Sequence, residues 1–186
     1  MQAAETFSLY NRLMALPEGL TGEILNGQLH AQPRPSGAHM GVESALQIEL
    51  GGPFDRGRGG PGGWRILVEP EIHFVRDREI CVPDLAGWRR ERLPQLPRDQ
   101  RFEVVPDWVC EILSPSTESK DRQIKMPIYA HYGVRFAWLI HPLKQTIEAF
   151  TLSGAVWRSL GIRQGAETAA LPPFEAVPLD LAGLWR

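Results

Sequence analysis

A chain of 186 residues with 43% hydrophobic content can bury one substantial core and is short for two, so one domain over 1–186 is expected. Its 20 basic and 22 acidic side chains leave a net charge of −2, which excludes a protein that holds nucleic acid by overall charge alone. Two cysteines without CxxC spacing exclude a disulfide framework and a zinc site, while the lack of a long apolar run or a signal-peptide pattern points to the cytoplasm and away from membranes.

The charge is unevenly spread. From Arg56 to Arg101 there are ten arginines and seven acids, or +3, which leaves −5 for the remainder. Arginine forks suit phosphate, but seventeen arginines against three lysines is a preference that runs through the whole chain.

In chain order, Thr6 to Leu16 sets Phe7, Leu9, Tyr10, Leu13 and Leu16 at helical spacing before Pro17. Gly22 to Ala31 reads as two short strands around Asn26-Gly27, a strong hairpin signal, with Glu23 in the first strand. Residues 1–36 thus make an N-terminal helix and hairpin. His39 to Leu50 reads as a helix of mixed periodicity, in which His39 and Glu43 are i, i+4 neighbours and Glu43 belongs to a solvated face. Gly51 to Gly63 contains seven glycines without the GK[ST] ending of a phosphate loop, and reads as a flexible connection. Trp64 to Val75 alternates around Pro70 as one long or bulged strand, with Glu69 and Glu71 exposed. A polar turn follows, and Ile80 to Trp88 returns as its partner, carrying Val82-Pro83-Asp84. Arg89 to Arg101 is a proline-punctuated surface excursion.

Trp108 to Leu113 is a short apolar run broken by one acid, Glu111. A carboxylate buried in a sheet costs several kcal/mol unless paired, so a partner cation is expected. Ser114-Pro115-Ser116-Thr117 is a turn with hydroxyls suited to capping, and Ile124, Ile128 and Tyr132 then follow helical spacing up to Gly133. Asp121 and Lys125 share a face of that helix, either as part of a site or as a surface ion pair worth about 0.3–0.5 kcal/mol. Val134 to Ile140 is another strand, so residues 37–142 form a core ending in strand, helix, strand. Beyond it, 143–186 supplies two strands, Thr146 to Leu152 and Val156 to Leu160, and an apolar tail placed at the domain edge or against a second subunit. Cys110 reads as a core residue.

Pro83-Asp84, then Glu111 opening EILSPST, Asp121 opening DRxxK, Tyr129 opening YAxxGV and Trp138 opening WLIxP, resemble the Uma2 (DUF820) family of the PD-(D/E)XK nuclease superfamily. The resemblance implies an α/β fold of restriction-endonuclease type, a central mixed β-sheet flanked by helices, with the N-terminal hairpin as an addition. It implies Mg²⁺ or Mn²⁺ held by Asp84 and Glu111 on neighbouring strands. The superfamily pattern places a lysine two residues after the second acid, where this chain has Leu113; the resemblance moves that role to Lys125 on the following helix. Asp84, Glu111 and Lys125 are then catalytic, with Glu23 and Glu43 near the metal, His39 beside Glu43, and Arg122 on an adjacent phosphate. The implied activity is metal-dependent hydrolysis of DNA phosphodiesters by a protein that forms a homodimer. Two other readings stay open: a nuclease-fold module that binds nucleic acid or a protein partner without cutting, and a hydrolase of small phosphoesters.

Overall fold

The computed structural model describes residues 8–185. Thr6 and Phe7, which the sequence assigns to the first helix, lie outside them. Helix α1 (Leu9–Met14) starts where the Ser8 hydroxyl accepts the Asn11 N–H, and it buries Tyr10 and Leu13. Strands β1 (Leu20–Leu25) and β2 (Gln28–Pro33) form the expected hairpin. Asn26 and Gly27 both take positive φ, 51° and 74°, as a two-residue turn between twisted strands requires.

Helix α2 (Gly37–Leu50) is capped by Ser36, whose hydroxyl accepts the His39 N–H at 3.4 Å. It buries His39, Val42, Leu46 and Leu50, while Met40 and Ile48 face outward. The flexible connection expected after it is corrected at its start. Gly51–Asp55 continues the helix as a wide π turn, with Pro53 inside it and Phe54 buried.

The next two expected strands are also corrected, since each is broken at a proline. Trp64–Val75 divides into β3 (Trp64–Val68) and β4 (Glu71–Val75), and the returning segment divides into β5 (Glu79–Cys81) and β6 (Leu85–Arg89). Proline offers no N–H to a ladder, so at Glu69-Pro70 and at Val82-Pro83-Asp84 the paired ribbon leaves one sheet and enters another. The two breaks are tied together: the Glu69 N–H donates to the Asp84 carbonyl at 2.9 Å, and Glu69 adopts a φ of 45° to make the bend.

One sheet has five strands in the order β2-β1-β5-β4-β7, where β7 is Arg101–Phe102. The other has six, ordered β11-β10-β9-β8-β6-β3, with β8 (Trp108–Ile112), β9 (Phe136–His141), β10 (Thr146–Ser153) and β11 (Val156–Gln164). Pairs in it are antiparallel except β8 with β9, which are parallel and therefore need a crossover. The crossover is one helical stretch: α3 (Glu118–Lys120), a π turn (Asp121–Lys125) and α4 (Met126–His131), stopped by Gly133 at φ 80°. The hydroxyls ahead of it bond to one another, Ser114 Oγ to Thr117 Oγ1 at 3.0 Å, and do not cap α3. The fold is a mixed α/β architecture, and no described helix is long and apolar enough to cross a membrane.

Strand β8 is buried on both faces. On one side Trp108, Cys110 and Ile112 pack with Val42, Leu46 and Leu50 of α2; on the other, Val109 and Leu113 pack with Met126, Ile128 and Tyr129 of α4. The apolar tail is part of the first layer: Leu171, Phe174, Leu181 and Leu184 are buried there. It closes the core within the chain, which removes it as a sequence argument for a second subunit. Cys81 and Cys110 are free and buried, Cys110 as read from the sequence. Phe174 lies within 5.6 Å, centroid to centroid, of Trp64, Trp108 and Trp138.

Strand β6 passes this aromatic cluster at Gly87. A Cβ there would stand 3.2 Å from the Trp108 ring and 3.3 Å from the Trp64 ring, both buried and unable to swing away. Gly87→Ala is therefore expected to lower stability by about 1–3 kcal/mol, the usual cost of overpacking, measured by urea unfolding.

Candidate active site

The β6–β8 register pairs Leu85 with Cys110, so one step further sets Asp84 and Glu111 at adjacent positions of neighbouring strands. They meet different partners. Asp84 sits at the proline break before β6, and its Oδ2 accepts the Ile112 N–H of β8. Its Oδ1 lies 2.9 Å from His39 Nε2. One helical turn beyond His39, Glu43 brings its carboxylate to the same place. Among the described residues, His39, Glu43 and Asp84 form a group whose ligand atoms all lie within 4.8 Å of one another. Glu43 Oε1 is buried there and has no hydrogen-bond partner. The solvated face expected for Glu43 is thus corrected: α2 turns it inward.

Glu111 faces the other layer. Its Oε2 receives Lys125 Nζ at 2.8 Å and its Oε1 receives the Tyr129 hydroxyl. Lys125 is 1% exposed and also donates to the Val82 carbonyl at 3.0 Å, with Glu23 Oε1 at 2.9 Å and Asp121 Oδ1 at 4.0 Å. Its hydrogen bonds go to the Val82 carbonyl and to Glu111, with Glu23 as an ion-pair contact beside them. The surface ion pair weighed for Asp121 and Lys125 is corrected, because both are buried. Pro127 breaks the helical ladder here, and the π turn it follows carries Asp121 and Lys125 toward the sheet.

Glu23 is also buried, not at an exposed strand end. It accepts the Val82 N–H at 2.9 Å through Oε1 and Lys120 Nζ through Oε2. Lys120 reaches Gln32 Oε1 as well, which ties β2 to α3. Arg122 stands elsewhere: its guanidinium pairs with Glu118 at 2.9 Å and with both oxygens of Glu148. Glu71 turns away too, accepting the Tyr10 hydroxyl at 3.1 Å and lying 2.6 Å from His73 Nε2. Glu69 borders the group.

The result is a centre with surplus negative charge. Five carboxylates (Glu23, Glu43, Asp84, Glu111, Asp121) face two ammonium groups (Lys120, Lys125). Burial, with the Asp84 and Glu69 carboxylates beside it, pushes the Glu43 carboxyl up to about 7. Burial opposes the His39 imidazolium, but the hydrogen bond with Asp84 and the charge of Asp84 outweigh it and raise its pKa. Burial raises Glu111 well above the ordinary carboxylate range despite Lys125. Burial likewise opposes the Lys125 ammonium, yet Glu111, Glu23 and Asp121 surround it, so Lys125 stays charged. Burial would lift Glu23, but Lys125 and Lys120 hold it low.

His39 and Asp84 line a cleft of about 320 Å³ between the end of β2 and the Ser114–Thr117 turn. A larger hollow of about 560 Å³ lies beside α1, but its lining is mostly apolar and includes neither residue. The smaller cleft is the one bordered by members of the His39–Glu43–Asp84 group. Sequence reading missed Tyr129 and Lys120 as members of this network. The i, i+4 spacing of Lys125 and Tyr129 was the available signal for the first, whereas Lys120 depends on a strand 88 residues away. Tyr129→Phe leaves Glu111 Oε1 buried without a donor; a loss of about 1–3 kcal/mol in chemical denaturation is expected.

Comparisons with known proteins place this arrangement. A solved structure of a "putative nuclease belonging to DUF820" from Anabaena variabilis ATCC 29413 superposes with a TM-score of 0.77 at 21% identity, covering 96% of this chain and 97% of that one. At that identity the likeness concerns the fold. No curated protein matches. The sequence model of the Uma2 family, described as "Putative restriction endonuclease", matches residues 7–182. With nearly its whole length matched, this chain belongs to the Uma2 family.

Proposed function

We propose that this protein is a divalent-metal-dependent endonuclease that hydrolyses DNA phosphodiester bonds. One observation carries the reading: an imidazole and two carboxylates, from His39, Glu43 and Asp84, converge within 4.8 Å, and one of their oxygens is buried without a partner. A buried oxygen left unpaired costs about 1–3 kcal/mol, more if charged, and a cation removes that cost. The donor set fits such an ion. Two carboxylates suit Mg²⁺ or Mn²⁺, and the imidazole nitrogen favours Mn²⁺ of the two. When bound, the ion supplies a Lewis acid for the scissile phosphate and a water of lowered pKa.

The chain's own residues do the rest. The Ile112 N–H fixes one oxygen of Asp84 and leaves the other for the ion. Glu111, clamped by Lys125 and Tyr129, is the next acid of the centre, held in place behind Asp84. Lys125 is a positioning residue: it orients Glu111 and Glu23 and joins the Val82 break to α4. Arg122, already held by two glutamates, is left out of phosphate binding in this reading.

The enclosure of Lys125 favours a second reading, a nuclease-fold module that binds without cutting, since that amine is buried among the Val82 carbonyl, Glu111 and Glu23 and away from a phosphate. Plasmid nicking in Mn²⁺ or Mg²⁺ separates the two. The wild-type protein should nick, EDTA should stop it, and Asp84→Asn should lower the rate by about 100-fold or more. Glu43→Gln should lower it by about 10–100-fold. Equal nicking by wild type and Asp84→Asn removes the assignment. Tight Mn²⁺ binding without nicking leaves the module.

A further inference from the structure

The site uses none of the arginines between Arg56 and Arg101. Three of them, Arg56, Arg65 and Arg90, line one hollow of about 480 Å³. Arg65 projects from β3, the edge strand of the six-stranded sheet. Its Nε donates to the Leu93 carbonyl at 2.7 Å and its Nη2 to the Pro94 carbonyl at 2.5 Å. Arg90 uses Nη2 alone, toward the Asp55 carbonyl at 2.8 Å, Asp55 Oδ1 at 3.0 Å and the Trp64 carbonyl at 3.0 Å. The exposed Arg56 guanidinium bonds to no described residue. A guanidinium has five N–H donors, so Nη1 of Arg65, Nε and Nη1 of Arg90, and all of Arg56 are free to face a ligand. Asp55, the one acid in the lining, is already engaged by Arg90 and by the Ile66 N–H at 3.3 Å. Three cations against one acid leave a net +2 (3 − 1).

We propose that this hollow binds a backbone phosphate of the nucleic-acid substrate, as an anchor separate from the His39–Glu43–Asp84 centre. The inference rests on the nuclease reading. Its physical motive is the make-up of that centre: acids outnumber its two ammonium groups, both of which are paired with acids, so affinity has to come from cations placed elsewhere on the substrate's path. Phosphate contacts of this kind fix position and register and carry no sequence information. Glu69, which borders the cleft, lies four residues along from Arg65 (69 − 65), or about 13 Å at the rise of a strand.

Arg56→Glu tests this without touching the fold, because the side chain has no internal partner. Binding of a fluorescein-labelled DNA duplex is followed by anisotropy in EDTA, where no cleavage occurs, across a series of salt concentrations. The expected result is about tenfold weaker binding at low salt and a salt slope reduced by about one, with Arg56→Lys close to wild type. Arg90→Gln should weaken binding in the same direction. Wild-type affinity and slope in Arg56→Glu, or no binding by the wild-type protein, overturn the anchor. Asp84→Asn is assayed in parallel for binding and nicking. If it nicks like wild type while Arg56→Glu binds weakly, the nuclease reading fails and the anchor stands. If it binds but does not nick while Arg56→Glu binds normally, the anchor fails and the nuclease reading stands.

Discussion

A single buried ammonium ties this structure together. Lys125 comes from the crossover helix, donates to the Val82 carbonyl at the break between sheets and to Glu111 of the central strand, and pairs with Glu23 of the N-terminal hairpin. Stripping an ammonium of water costs several kcal/mol even after relaxation, and only this set of acceptors offsets it. Three segments far apart in the chain must therefore assemble together around Lys125. Lys120 repeats the arrangement one turn earlier, joining Glu23 to Gln32.

The same constraint explains how the site is divided. Glu23, Glu111 and Tyr129 are satisfied internally and form a rigid back wall. Asp84 has one oxygen on that wall, through the Ile112 N–H, and one in the cleft, where His39 and the unpartnered Glu43 oxygen meet it. Saturated groups hold geometry, and unsaturated ones await a ligand. The Val82-Pro83-Asp84 break is the hinge between the two, because proline forces the ribbon out of register where Asp84 must turn. The rest of the charge follows a similar logic. The acids gather where a cation fits, and Arg56, Arg65 and Arg90 gather beside the outer strand in a separate hollow.

Much of this was legible residue by residue where the cause is local. Asn26-Gly27 announced its hairpin because both positions must take positive φ, and Gly133 announced a helix end for the same reason. Glu111 announced a cation because an acid has no business alone in an apolar strand, and the scarcity of lysine narrowed the search to three. Where the cause was tertiary, the reading failed. The mixed periodicity of His39–Leu50 does not say which face meets the sheet, so Glu43 was given to water, whereas Met40 and Ile48 are the residues that point to solvent. Pro70 was read as a kink in one strand because nothing local says that a second sheet waits beyond it. The π turn over Asp121–Lys125 shifts side-chain phase by about one residue, and ordinary helical spacing cannot show it.

By itself the sequence determined the strand-helix-strand unit, the hairpin, the oddity of Glu111 and the family to which the chain belongs. These rest on short-range sterics and on pattern, which are properties of neighbouring residues. Tertiary structure alone decided that His39, Glu43 and Asp84 converge in one cluster, that Lys125 is spent on holding its neighbours, and that the tail closes the core. Each of those outcomes depends on which distant groups compete for one buried charge or one patch of apolar surface, and that competition is resolved only when the layers pack.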